Sequence, residues 1–580
     1  MAKRIGKRIG KRKGMLIYAL LLTAAFSFRV TVARLLPNDQ PFDGQVYAQI
    51  ARNVLEQHVY SHATEPPYDP SLIRLPGYPV FLAAVYSIFG HNNNTAVRIV
   101  QALIDTAACA LISLIAFFWE PDEKLKRRTS ITALVLAAVC PFTTIYVATI
   151  LTETPTVFLA VAMCLTATLA FKATSRRSTL LLWGATGILG GVAVLFRPDS
   201  GLFAAATGIT LVVSRLLRSS EGKVKKRKQE IVYRLSRASY HGAMFSLAFC
   251  LALVPWTIRN HRVFHLFQPL APAHAEMPGE FVPRGYLSWL RTWIDDGRYI
   301  GPVLWSLDES PIKLENMPAR AFDSAEEKQR VAALVEKYNH PHEEQESIFT
   351  EPDSQQSPTP SEDQSNQIEE NGSAKTNDES AQGDKGDTGD EADKTDEGDK
   401  RDEGDSGDQG DEADQNDETA SSDSATSHPV EMTPEIDAGF AQIAQERIAR
   451  HPLRFFFWLP VKRAFSLWFD THSQYYPFEG ELLPLDDLDY DIHQQFWLPL
   501  FAGLTFVYTL LGILGGWFLW ETRDFVARQW LLLAALIIFL RLGFFSTLEN
   551  PEPRYVVEIF PFLSVLGGIA LSRAALLLKK

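Results

Sequence analysis

The stretch KRIGKRIGKRKGMLIYALLLTAAFSFRVTVAR, residues 3–34, decides how this chain folds. A basic repeat, 3–14, stands directly before an apolar run of about the 20 residues that an α-helix needs to cross a bilayer. Lys and Arg beside a membrane span stay on the cytoplasmic side. Arg29 and Arg34 follow the apolar run, and no small-residue cleavage site precedes them. We therefore expect an uncleaved first span with a cytoplasmic N-terminus.

Apolar runs of similar length recur along the chain and predict an all-α polytopic membrane protein. The ten predicted spans are 15–34, 97–118, 130–148, 155–173, 179–196, 199–217, 240–258, 496–519, 528–545 and 555–577. With the N-terminus in the cytoplasm, this threading keeps every strongly basic segment cytoplasmic. Those segments are 122–128, 175–177, 218–237, 521–528 and the C-terminal Lys579 and Lys580.

One further apolar run, 75–90, is excluded from the spans because its crossing would turn every later basic loop outward. It is short, and Pro76, Gly77 and Pro79 interrupt its start. We expect a helix that lies in or dips into the outer interface.

The threading divides the chain into membrane modules and outward loops. The 580 residues carry a net charge of −13, but 351–428 contain 26 acidic and 5 basic residues. A stretch of this composition cannot bury enough apolar surface to offset its ordering entropy, so we expect disorder over 350–430. The predicted parts are the basic N-terminus 1–14, an N-terminal transmembrane module 15–258 with its first outer loop 35–96, a large extracytoplasmic loop 259–495 containing the acidic insert, and a C-terminal transmembrane module 496–580.

Two segments of the large loop, 284–305 and 451–469, mix aromatic residues with Arg and Lys. This composition is typical of helices in the headgroup region of a membrane. It also fits a globular piece docked on the helix bundle, and the two alternatives are compatible.

Nine ionisable residues fall at or near outward helix ends in this threading, most of them in short motifs that contain a proline. They are Asp43, Arg74, Glu153, Arg197, Asp199, Arg259, Glu549, Glu552 and Arg554. Single charges at a membrane boundary are often only anchors, whereas nine on one face indicate a shared cavity. Guanidinium groups match the oxygens of a phosphate headgroup, and a neighbouring carboxylate can act as a general base.

The motifs around these residues resemble a known family. D-G-x-x-Y-x-x-I-A (43–51), RLPGYPVFLA (74–83), R-x-x-Q-A-L from Arg98, LTET (151–154), FRP (196–198), PWTIRN (255–260) and PEPRY (551–555) follow one another in order. Together they resemble the polytopic GT-C glycosyltransferases, in particular the dolichyl-phosphate-mannose–protein mannosyltransferase and aminoarabinose transferase-like group.

The resemblance implies transfer of a hexose or pentose from a polyprenyl-phosphate donor to a glycan, lipid or protein acceptor outside the cytoplasm. It implies a GT-C fold of about ten transmembrane helices, in the plasma (inner) membrane. Carried onto this chain, Asp43 is the base, Glu153 a second catalytic candidate, and Arg74, Arg197, Arg259 and Arg554 ligands of the donor phosphate. Direct attack would invert the anomeric carbon.

Each role has a structural alternative. Asp43 and Glu153 precede helical patterns, where carboxylates also serve as helix caps, and the arginines are also suited to anchoring lipid headgroups. Many relatives carry a second acid directly after the aspartate, whereas Gly44 follows here. We therefore assign no metal ligands, and whether a divalent cation takes part stays open.

The sequence carries no Walker loop, dinucleotide-binding fingerprint, HExxH or CxxC cluster. This argues against nucleotide hydrolysis, dehydrogenase chemistry and zinc proteolysis, and no nucleic-acid partner is expected. The main alternative function is a transporter or flippase of lipid-linked sugars, which also needs a basic headgroup site.

A third alternative, a scaffold or sensor built around the acidic insert, makes a distinct prediction. It requires that deletion of 351–428 abolish function. We expect the deleted protein to retain its activity, because a disordered insertion in an outer loop adds little to loop-closure entropy. An activity assay of the deletion variant beside the full chain is the measurement, and loss of activity would support the scaffold.

Overall fold

The computed structural model describes residues 2–37, 41–217, 227–341, 430–483 and 492–578. The predicted disorder over 350–430 therefore lies outside the described residues, except for Val430. The described residues up to His340 and from Val430 onward belong to one compact unit.

The described structure consists of helices joined by turns and irregular segments, and no strand occurs within it, which confirms the all-α class. In chain order the helices are α1 (Ala2–Leu35), α2 (Phe42–Glu56), α3 (Gly77–Phe89), α4 (Asn94–Trp119), α5 (Lys126–Ala138), α6 (Pro141–Thr144), α7 (Glu153–Lys172), α8 (Arg176–Phe196), α9 (Gly201–Leu217), α10 (Arg227–Phe264), α11 (Arg284–Leu290), α12 (Ala325–Asn339), α13 (Pro434–Arg450), α14 (Leu459–Phe469), α15 (Ile492–Glu521), α16 (Phe525–Phe545) and α17 (Phe560–Leu577).

Nine helices of the described chain are long and apolar enough to cross a membrane. They are α1, α4, α7, α8, α9, α10, α15, α16 and α17, and each coincides with one of the ten predicted spans. The chain is therefore an integral membrane protein with a polytopic helical bundle.

The tenth predicted span, 130–148, is broken in the structure. Helix α5 and the segment Pro141–Val147 are bent by 53° relative to each other. Pro141 has no N–H group, so it cannot donate to the carbonyl of Ala137 as a continuing helix would require. The two pieces together are long and apolar enough for the predicted span, which is bent at Pro141.

Arg29 of α1 stabilises this break. Its guanidinium donates to the carbonyl oxygens of Ala137 (3.1 Å) and Ala138 (3.0 Å). Its Nε donates to Asp105 Oδ2 at 2.5 Å, and Arg29 and Asp105 are both buried. The cation in the first span thus satisfies carbonyl groups that the proline leaves without a helical partner.

Helix α3 covers the excluded run 75–90. Its 13 residues reach about 20 Å, short of the roughly 30 Å hydrocarbon core. Gly77 packs on the C-terminal end of α8, where an added Cβ would lie 2.6 Å from the carbonyl oxygen of Leu195. Tyr86, near the other end of α3, donates to Asn94 Oδ1 at the start of α4 (2.7 Å). Both ends of α3 therefore contact the same end of the bundle.

We call that end the site end. Contacts among Glu153, Arg197, Arg541 and Glu558 bring together the start of α7, the end of α8, the end of α16 and the turn before α17.

The start of α1 and the end of α17 lie at the opposite end of the bundle. Arg573 of α17 pairs with Glu120 at the end of α4 (2.6 Å), and Gly14 of α1 packs against Arg127 of α5. The bundle thus places the described parts near both chain termini away from the site end.

A second core, here called the helical subdomain, comprises 284–340 and 430–450. Tyr286, Trp289, Trp293 and Phe440 are fully buried in it. Segment 284–305 therefore forms part of a globular core. Of the two alternatives drawn from its composition, this corresponds to the globular piece.

Candidate functional site

Asp43 lies in the first turn of α2, at the site end. Pro41 occupies the N-cap position, and no side chain caps the helix. The Asp43 carboxylate accepts a hydrogen bond from Arg74 Nη2 (2.8 Å) and lies 3.4 Å from both terminal nitrogens of Arg554. Its partners are therefore cationic side chains, as a site residue requires, and the structure does not use it as an N-cap.

Gly44 allows α2 to approach the segment before α7. A Cβ at this position would lie 2.8 Å from the carbonyl oxygen of Ile150, closer than real Cβ contacts. Any larger side chain after Asp43 would meet the same backbone atom. Packing at Ile150 thus accounts for Gly44 beside Asp43.

Replacing Gly44 by alanine tests this packing. We expect Gly44→Ala to displace the first turn of α2, to cost about 1–3 kcal/mol as overpacking does, and to reduce activity by moving Asp43. Thermal inactivation and an activity assay are the measurements. Gly242→Ala is the matched control, because nothing lies within 4 Å of a Cβ there. Equal behaviour of the two variants would contradict this account of Gly44.

Arg554 contacts several side chains, and its contacts with Asp43 are longer than its contact with Glu552. Its Nε lies 2.5 Å from Glu552 Oε2, and its Nη1 lies 3.4 Å from the hydroxyl of Tyr475. Glu552 also accepts hydrogen bonds from Tyr555 Oη (2.7 Å) and Asn550 Nδ2 (2.7 Å). We call Asp43, Arg74, Glu552 and Arg554 the cavity ion group.

A second set of charges, here called the buried ion network, lies beside it and consists of Glu153, Arg197, Asp199, Arg541 and Glu558. Arg197 donates to Glu153 Oε1 (2.7 Å) and to Asp199 Oδ1 (3.1 Å). Arg541 Nη2 lies 2.5 Å from Asp199 Oδ2 and also contacts Glu558. At most a tenth of each of these side chains is exposed.

Tyr555 joins the two groups. Its ring lies beneath the guanidinium carbons of Arg554 (5.3 Å) and Arg197 (5.6 Å). Its carbonyl oxygen accepts a hydrogen bond from Arg541 Nε (2.6 Å). Arg541 therefore fixes the backbone beside Arg554.

Arg259 belongs to neither the cavity ion group nor the buried ion network. It donates to the carbonyl oxygen of Ser71 (2.8 Å) and stacks on Tyr60 and Trp256. Its contacts fasten the segment between α2 and α3 to α10. It meets Arg74 indirectly, through Tyr60, whose hydroxyl donates to the carbonyl oxygen of Arg74 (3.1 Å).

A cavity of about 1980 Å³ opens at the site end. Asp43, Arg74 and Arg554 line it, as do Arg197 and Asp199, whereas Glu153 and Arg259 are not among its lining residues. Apolar residues form another part of the lining, including Leu202, Leu304, Trp305 and Phe544.

Three titratable groups near the cavity, Tyr47, Glu481 and His472, are poor bases at neutral pH. Burial, with a smaller contribution from Asp43, raises the pKa of Tyr47 to about 12. Burial followed by the charge of Asp296 raises the pKa of Glu481 to about 9, so this carboxyl group is protonated at neutral pH. Burial lowers the pKa of His472 to about 4, which leaves the imidazole neutral. In the described part of the chain, no group of three or more His, Cys, Asp or Glu residues is arranged to hold a metal ion.

Three residues of the site were absent from the predicted set. Arg541 and Glu558 stand inside apolar segments, and a charge within a membrane segment is itself a signal of function or pairing. Tyr475 carries no such signal, because its contact with Arg554 joins distant parts of the chain.

Residues 69–239 match the family model of the dolichyl-phosphate-mannose-protein mannosyltransferases, a GT-C glycosyltransferase domain. The resemblance drawn from the motifs is thereby confirmed over this segment, which contains Arg74, Glu153 and Arg197 and ends before Arg259. Comparison with curated proteins and with solved structures gave no match. The findings support a membrane glycosyltransferase of the GT-C type.

Proposed function

We propose, with the GT-C domain at 69–239 as the premise, that this protein transfers a sugar from a polyprenyl-phosphate donor to an acceptor on the extracytoplasmic side. The observation that carries the proposal is the Asp43 carboxylate, held between Arg74 and Arg554 on the wall of a large cavity. A carboxylate beside guanidinium groups supplies both a base and ligands for an anionic leaving group.

Arg554 is the proposed ligand of the donor phosphate. Its contacts with Asp43 are 3.4 Å long, so a phosphate oxygen can replace them at little cost. Apolar residues such as Trp305 and Phe544 in the same cavity suit the first isoprene units of the lipid.

Asp43 is the proposed base. It takes the proton of the acceptor hydroxyl as that oxygen attacks the anomeric carbon. The bond from that carbon to the phosphate oxygen breaks, and the polyprenyl phosphate leaves with the bonding electron pair. One direct displacement inverts the anomeric configuration. Arg554 stabilises the charge that develops on the leaving phosphate.

Arg74 is the proposed positioning residue for Asp43, since its 2.8 Å hydrogen bond is the shortest contact of that carboxylate. Arg197 and Glu153 are proposed to support the site from the buried ion network, because each is neutralised by the other. Arg259 has no part in the proposed chemistry, because Ser71 and Tyr60 occupy its guanidinium.

Replacing Arg554 by methionine tests the phosphate assignment. A hydrogen bond to a charged group contributes about 1.5–3 kcal/mol, so we expect roughly 10- to 100-fold weaker donor binding. Glu552 keeps its bonds from Tyr555 and Asn550 in this variant. The Michaelis constant for the lipid donor is the measurement. Arg298→Met is the control, because Arg298 also lines the cavity but pairs with Asp296. An unchanged constant in Arg554→Met would refute the assignment.

A vesicle experiment separates transfer from transport. Purified protein in vesicles receives a labelled polyprenyl-phosphate sugar on one leaflet and membrane extract as the source of acceptor. The proposal predicts label on a non-donor molecule. Movement of labelled donor between leaflets, with no label transferred, would favour the flippase instead.

A further inference from the structure

The segment Arg454–Phe469 carries an exposed aromatic face. A wide helical turn, Arg454–Trp458, runs directly into α14. The exposed apolar side chains around it, here called the aromatic face, are Leu453, Phe456, Phe457, Trp458, Val461 and Phe465. All except Val461 are more than half exposed. An apolar surface of this kind marks an interaction site.

The opposite side of the same segment holds the helical subdomain. Arg454 Nη1 donates to Asp323 (2.7 Å), and Lys462 Nζ donates to Asp295 (3.2 Å). Buried Arg463 donates to the carbonyl oxygens of Ile294 (2.7 Å) and Arg291 (2.5 Å). These contacts hold the segment to the helical subdomain, while the aromatic face stays exposed.

The aromatic face continues onto a membrane-spanning helix. The ring of Phe465 lies 4.7 Å from that of Phe469, and Phe469 stacks on Phe506 of α15 at 4.9 Å. Phe506 is itself exposed, as are Leu510, Ile513 and Trp517 farther along the same spanning helix. One uninterrupted apolar surface therefore runs from the aromatic face to a helix that crosses the bilayer.

We infer that the aromatic face is embedded in the membrane interface and that its partner is the lipid bilayer. Phe and Trp side chains favour that layer, where amphipathic segments lie with their apolar side among the acyl chains. The segment thereby anchors the helical subdomain to the membrane surface. Residues Asp470–Tyr475, which follow it directly, line the cavity. Anchoring of this segment in the interface therefore fixes the distance between that part of the cavity wall and the acyl chains.

Nitroxide labelling in phosphatidylcholine vesicles tests this inference without an activity assay. The background carries Cys250→Ala, which removes the exposed cysteine, while Cys109, Cys140 and Cys164 are buried. Single cysteines then replace Phe457 or Trp458. Collisions of the label with oxygen, which dissolves in lipid, are compared with collisions with a water-soluble nickel complex.

Two reference positions calibrate the measurement. Ile513→Cys on α15 reports lipid, and Glu336→Cys on α12 of the helical subdomain, 72% exposed, reports water. We expect labels at Phe457 and Trp458 to shift toward the oxygen-dominated value at Ile513. Nickel-dominated values like that at Glu336 would overturn the inference. Shielding from both reagents, with spin–spin broadening, would show a second copy of the chain on this face and would also overturn it.

Discussion

Asp43→Asn is expected to abolish sugar transfer while the protein still folds and inserts. Asparagine keeps the size of the side chain and an oxygen for Arg74, but it cannot take a proton from an acceptor hydroxyl. A positioned general base contributes about 10²- to 10⁴-fold in rate. The loss should therefore appear in the turnover number, and donor binding should persist through Arg554.

Asp69→Asn is the matched control for this variant, because Asp69 lies exposed in the segment between α2 and α3. Turnover and donor binding are measured on both variants in vesicles. Transfer by Asp43→Asn at the rate of the unaltered chain would remove Asp43 from the mechanism. A loss of donor binding without loss of turnover would instead make Asp43 an element of the phosphate site.

Arg197→Met is expected to destabilise the fold more than it weakens donor binding. Arg197 hydrogen-bonds to Glu153 and Asp199 and lies 3.6 Å from Glu558. Its removal leaves buried carboxylates short of a cation, and breaking a buried ion pair costs about 3–5 kcal/mol. Thermal inactivation in detergent and the yield of folded protein are the measurements.

Arg262→Met is the control for Arg197→Met, since Arg262 is exposed on α10 and surface changes usually cost less than about 0.5 kcal/mol. A stable Arg197→Met protein with greatly weakened donor binding would return Arg197 to the set of phosphate ligands that its FRP motif suggested.

The spans could be predicted from the sequence because a bilayer demands a fixed length of apolar helix. The alternation of basic loops then indicated which helix ends share a face. That reasoning placed Asp43, Arg74 and Arg554 together although Arg554 is far along the chain. The bend in the span 130–148 lies at Pro141, which the sequence shows, whereas its compensation by Arg29 is revealed only by the packed structure.

The division of the charges into two groups could not be predicted either. The predicted membrane topology places Arg197, Arg259 and Arg554 on one side of the bilayer. It does not say which carboxylates each arginine contacts. In the packed structure Arg197 pairs with Glu153, Arg259 contacts the segment between α2 and α3, and Arg554 lies beside Asp43. Arg541 and Glu558 join the buried ion network from within apolar segments.

The most direct test of the central claim is mass spectrometry of the envelope glycans, lipids and proteins from three cell lines. These produce the unaltered protein, no protein, or the Asp43→Asn variant at equal level in the membrane. The account predicts that one hexose or pentose modification is present in the first line and missing from the other two. The same modification in cells that make only Asp43→Asn would contradict it.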